Sequence, residues 1–162
     1  MARVVVGVTG HRWNKLRRED EAALRLRVRA VLESLGAGGV LYSMLAEGAD
    51  RLAAEEALTL GWEIEAVLPF EQSRYERDFP SSTGEFRGLV SRCVSVKAAQ
   101  APGYLAGGIE LLNASDCLIA IWDGNPASGP GGTGDIVARA RAEGKRCVWI
   151  GAVAPHQVRE LR

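Results

Sequence analysis

The sequence predicts an α/β fold: a single Rossmann-like three-layer domain, 1 to 162, built on a mainly parallel five-stranded sheet, with a short sixth strand as an option. Three observations predict it. Apolar, β-branched runs alternate with segments of helical spacing, the order of βαβ units joined by right-handed crossovers. The length of 162 residues suffices for one continuous core. The polar, glycine-containing stretches fall after predicted strands instead of being scattered along the chain.

Taken in order, "RVVVGVT" (3 to 9), closed by Gly10, reads as a buried strand. A helix follows over roughly 17 to 35, with Leu24, Val28, Val31, Leu32 and Leu35 on one stripe and Gly36 as its stop. "VLYSM" (40 to 44) is a second strand. "RLAAEEALTLG" (51 to 61) is a second helix with Leu52, Ala53, Ala57 and Leu60 inward, Asp50 as a candidate N-cap and Gly61 as its end. "EIEAVLP" (63 to 69) alternates in its first half, which predicts a strand at the sheet edge, closed by Pro69. The stretch from 71 to 102 is polar and irregular, predicting short helices and a surface loop, with "VSVKA" (94 to 98) as a candidate extra strand. "GYLAGGIELLNA" (103 to 114) has helical spacing at Leu105, Ile109 and Leu112. "CLIAIW" (117 to 122) is an unbroken apolar run, as expected of a strand covered on both faces. A helix over about 134 to 143 and a strand at "RCVWIG" (146 to 151) complete the series.

Composition narrows the function classes. Lys plus Arg equals Asp plus Glu at 20 each, so the whole chain has no field to hold nucleic acid non-specifically. Cys93, Cys117 and Cys147 lack C-x-x-C spacing, and two of them open apolar runs, which points to core thiols and to no metal site. Arg18, Arg25 and Arg29 share an edge of the first helix and read as a solvated flank. No segment resembles a signal peptide and no run approaches the ~20 apolar residues of a membrane span. A cytoplasmic location without membrane contact is expected.

Four unusual stretches follow strands: "GHRW" (10 to 13), "AEGAD" (46 to 50), "PFEQ" (69 to 72) and "DGNPASGPGGTGD" (123 to 135). In open parallel sheets, ligands bind at that rim, where the strand order reverses. In the last stretch Gly131, Gly132, Thr133 and Gly134 lead into a helix expected to begin near Asp135. Amides at such a helix start suit a phosphate or another anion, and Thr133 adds a hydroxyl donor; a tight strand-to-helix turn is the plainer alternative. The run is neither a Walker A loop nor a "GxGxxG" fingerprint.

The other loops supply side chains. Arg12 offers a planar cation for phosphate or carboxylate, against the alternative of a surface salt bridge. His11, beside Gly10, is a polar contact or a general base. Glu47 and Asp50 flank Gly48, so a carboxylate there either accepts ligand hydroxyls or, for Asp50, caps the helix. Asp123 ends the central strand and either faces the crevice or makes a turn with Gly124.

In these pieces the chain resembles the SLOG superfamily, the Rossmann-like group holding DprA, YpsA-type proteins and the "lonely guy" phosphoribohydrolases. "SMLAEGADRLAAEEAL" (43 to 58) is similar to the DprA-type "SGLAxGID" stretch, with Glu47, Gly48 and Asp50 in matching places. "VLPFEQSRYERDF" (67 to 79), "ASDCLIAIWDG…GGTGDIVARA" (114 to 140) and "GHR" (10 to 12) resemble YpsA-type segments. The resemblance implies a nucleotide or nucleotide-derived ligand, of sensor or carrier type, no other certain cofactor, and a homodimer. Phosphoribohydrolases of the group use "PGGxGTxxE"; here Ala138 stands at the glutamate position and Asp135 at the second threonine. Losing a general acid/base costs about 10²- to 10⁴-fold. The alternative of an N-glycosidic hydrolase or transferase acting on nucleoside monophosphates therefore rests on Glu47 or Asp135 as its catalytic carboxylate. A DprA-like nucleic-acid partner is disfavoured by the zero net charge.

Overall fold

The computed structural model describes residues 3–161. Its strands are β1 (Val4–Gly10), β2 (Gly39–Ser43), β3 (Glu63–Leu68), β4 (Ser95–Ala98), β5 (Cys117–Trp122), β6 (Arg146–Gly151) and β7 (Val158–Leu161). The helices are α1 (Glu21–Leu35), α2 (Ala49–Thr59), α3 (Gln72–Tyr75), α4 (Thr83–Val90), α5 (Tyr104–Ala114) and α6 (Thr133–Ala142). The strands form one sheet in the order β4-β3-β2-β1-β5-β6-β7, parallel throughout except for β7, which runs antiparallel to β6.

The sheet thus has seven strands, not the five or six expected. The candidate strand at 94 to 98 is β4, and β7 is the addition. "VREL" is short and largely exposed, so it has no apolar alternation to betray it; pairing with β6 alone makes it a strand. β3 is a second correction, since it lies inside the sheet between β2 and β4. Its alternation comes from polar neighbours instead: Glu63 pairs with Arg3, and Glu65 lies opposite Tyr42 of β2.

β5 shows why a central strand reads as continuously apolar. Ile119 and Ile121 join one core with Val6, Val8, Leu41 and Ile64 of the sheet and Leu24, Val28, Leu32 and Leu52 of α1 and α2. Leu118, Ala120 and Trp122 face the other way, onto Leu111, Leu112, Ile136, Val137 and Ala140 of α5 and α6. Successive side chains point to opposite faces, and both faces are covered. Cys117 and Cys147 are buried in these cores, and burial pushes the Cys147 thiol up to about 12.

Two helix starts differ from expectation. The N-cap position of α2 is Gly48, without a side-chain bond, so Asp50 lies within the first turn and does not cap it. α6 begins at Thr133, ahead of Asp135, with Gly132 at its N-cap. The arginine flank of α1 is also less solvated than expected. Arg25 bonds Glu21, Glu55 and Glu56, and Arg29 bonds Glu56, which clamps α1 to α2.

Candidate functional site

From β1 the chain moves to β2 on one side, while β5 sits on the other, so the connections after β1 and β5 diverge. That reversal opens a crevice beyond the carboxyl ends of the strands. Its volume is about 500 Å³, and its walls come from Thr9 to Arg12, Met44, Ala46, Asp50, Tyr104, Trp122, Asp123 and the loop 125–134.

The loops after β1 and β2 brace each other. Ala49 N–H donates to His11 O at 3.0 Å. Gly48 has φ +87°, and a Cβ there would lie 2.6 Å from His11 O and 2.8 Å from Arg12 Cα. The position needs glycine for both reasons. Glu47 beside it is half-buried and outside the crevice wall.

This contact presents Arg12. Its Nη2 donates to Tyr104 Oη at 2.8 Å, and the Tyr104 hydroxyl in turn donates to Asp78. Burial opposes the charge on Arg12, but Tyr104 and the nearby Asp50 outweigh it and hold the guanidinium firmly protonated. Neither Tyr104 nor Asp78 stands out in the sequence. Tyr104 opens an ordinary helix, and only the topology brings it to an arginine 92 residues away.

His11 accepts the Asp123 N–H at Nε2, 3.3 Å away, and Nε2 lies 3.4 Å from Asp123 Oδ2. Burial lowers the His11 pKa despite that carboxylate. Asp123 Oδ1 accepts Asn125 N–H at 2.9 Å, and this bond depresses the Asp123 pKa. The crevice and the turn offered as alternatives for Asp123 therefore both hold. Trp122 Nε1 donates to Asn125 O at 2.9 Å and pins the start of the following loop.

The glycine loop is folded on the protein itself. Gly131 has φ +81°, and a Cβ there would lie 2.4 Å from Leu105 N; one on Gly134 would lie 2.7 Å from Ala127 N. Asp135 Oδ2 accepts the Gly131 N–H at 3.0 Å, while its Oδ1 is 3.3 Å from Arg139 Nε. Gly132 N–H donates to Gly129 O at 3.3 Å. The buried Thr133 hydroxyl is 3.3 Å from that of Thr9, so it faces the sheet. Among the described residues, nothing accepts from the Thr133 and Gly134 amides, the first two of α6.

Asp50 is 4% exposed. Its Oδ2 accepts Ala46 N–H at 3.3 Å, while Oδ1 has no partner among the described residues. Burial pushes its pKa up to about 7, against the opposing pull of Arg12 and Arg51.

The structure thus brings Gly10, His11, Arg12, Asp50, Asp123, Gly131, Gly132, Thr133 and Gly134 to one crevice. Gly48 supports it from behind, and neither Glu47 nor Asp135 is in its wall. The connection "PFEQ" contributes indirectly, through Phe70 packed edge-on against Tyr104 at 5.6 Å.

No family model matches the chain, and no curated protein does. Solved structures do. DNA processing protein A (DprA) from Streptococcus pneumoniae aligns with a TM-score of 0.60 at 18% identity, over 94% of this chain and 52% of that one. The chain therefore spans about half the length of that protein. The Moco carrier protein of Chlamydomonas rheinhardtii aligns with a TM-score of 0.59 at 17% identity, over 93% of this chain and 77% of the other. A protein designated TM1055 aligns with a TM-score of 0.60 at 18% identity, over 89% and 72% respectively. The chain has the three-layer fold of these proteins, in keeping with the fold expected from its sequence.

Proposed function

We propose that this protein binds a nucleotide or nucleotide-derived ligand in the crevice between β1 and β5, as a sensor or carrier. The observation that carries the reading is the pair of unpartnered amides at Thr133 and Gly134, two residues that line the same cavity as Arg12. The start of α6 favours negative charge, and Arg12 adds a fixed cation. A phosphate at this end and the rest of the molecule along the crevice fit its volume of about 500 Å³. That one structure of the same fold is a carrier protein supports holding over turnover.

Hydrolysis of an N-glycosidic bond is the weaker reading. Asp135 is occupied by Gly131 and Arg139, Glu47 is outside the wall, and Ala138 offers no carboxylate. The test is thermal denaturation with AMP, ATP, NAD, ADP-ribose, FMN and cyclic nucleotides. A ligand at 100 times its Kd stabilises by about 2.7 kcal/mol, which raises Tm by roughly 5–10 °C for a chain of this size. Failure of every compound to stabilise the folded protein would overturn the reading.

A further inference from the structure

Asp50 is not explained by holding a phosphate. A carboxylate beside an anion is repulsive, and a buried carboxyl with one oxygen unpartnered costs free energy unless something donates to it. The two arginines nearest in charge do not pair with it. Arg51 places Nε on Leu45 O at 2.9 Å and Nη1 on Ser82 Oγ and Glu85 at 2.9 Å, while its Nη2 is buried without a partner among the described residues and does not reach Asp50. Arg12 is turned to Tyr104. The hydroxyl of Tyr75 on α3 is likewise buried without a partner among the described residues. Of these residues with an unpaired buried atom, Asp50 is the one in the crevice wall. That wall also carries carboxyl groups, Asp50 and Asp123, beside the cations Arg12 and Lys15. A site for a bare polyanion would not be built so.

We propose that Asp50 forms a second subsite that takes a hydrogen-bond donor of the ligand. The crevice is then specific for molecules carrying a hydroxyl or amino group as well as an anionic one. This rests on the phosphate reading of the α6 end and adds the opposite pole to it.

The experiment is calorimetric titration of the intact protein with AMP, which carries phosphate, hydroxyls and an amino group, and with inorganic phosphate alone. Wild type is expected to bind AMP at least tenfold more tightly than phosphate. Asp50→Asn is expected to lose about tenfold to a hundredfold in AMP affinity and to bind phosphate at least as tightly as wild type. A measurement on the unmutated protein guards against misfolding of the variant: the carboxyl-carbon titration of Asp50 by NMR. A donor bound to Asp50 lowers its midpoint, whereas a neighbouring anion alone raises it. Equal binding of AMP and phosphate, an unaffected Asp50→Asn variant, or a midpoint raised by AMP would each overturn the subsite while leaving the anion site standing. Absence of binding by both probes would remove both.

Discussion

At the scale of single residues, Arg12 is the side chain on which recognition turns. It is held by a relay through Tyr104 to Asp78, and one charged hydrogen bond to a ligand contributes ~1.5–3 kcal/mol. Arg12→Ala is expected to weaken binding of a stabilising nucleotide about tenfold or more, and Tyr104→Phe by less, because the cation survives with a looser orientation. Isothermal titration reads both, and a larger loss for Tyr104→Phe would contradict the relay. Asp50 carries a pH signature. Its folded pKa of about 7 is above the unfolded value of 3.8, so the native state binds more protons between them. Its contribution is present at acid pH and is lost as pH rises through 7. Asp50→Asn should therefore remove a decline in stability between about pH 4 and 7 on the order of 2–4 kcal/mol, read by urea denaturation at each pH. An unchanged pH profile would show that the carboxyl titrates normally.

At the scale of elements, the glycine loop separates self-packing from ligand contact. Gly131 combines φ +81° with backbone 2.4 Å from where a Cβ would be, whereas Gly129 faces open space. Gly131→Ala is expected to cost ~2 kcal/mol or more, and Gly129→Ala to stay within about 0.5 kcal/mol. Equal effects in chemical denaturation would refute this division. The same loop shows the reach of sequence reasoning. Glycines ahead of an amphipathic helix marked the loop, and its place after β5 was readable from the apolar run. Which amides are spent was not, because Asp135 and Gly129 consume two of them through geometry set by the fold. β7 was illegible for a similar reason, being a short exposed strand defined by its partner. The glutamates of β3 imitated an edge because the residues they meet, Arg3 and Tyr42 of the neighbouring strand, lie far away in the chain.

At the scale of the whole molecule, the order β4-β3-β2-β1-β5-β6-β7 does most of the work. It places the connections after β1, β2, β3 and β5 on one rim, so residues as distant as Arg12, Asp50, Tyr104 and Thr133 meet. Alternating strands and helices made this architecture legible, and with it most of the crevice wall. Tyr104 escaped notice because nothing in its local sequence distinguishes it from a packing residue, and Asp78, though inside the stretch 67 to 79, gains its role only through the fold that brings Tyr104 to it. Among the described residues no helix is long and apolar enough to cross a membrane. With formal net charge +0, the chain is expected to bind single-stranded DNA no better than other neutral proteins. A filter-binding assay at low and high salt checks this, and a steep salt-dependent affinity would contradict it.

The central claim is that the first amides of α6 hold an anion in the crevice. Titration of the ¹⁵N-labelled protein with AMP, followed by amide NMR, tests it most directly. The account predicts saturable shifts largest at Thr133 and Gly134, with smaller ones at His11 and Arg12. Shifts centred elsewhere, or none at millimolar AMP, would contradict it.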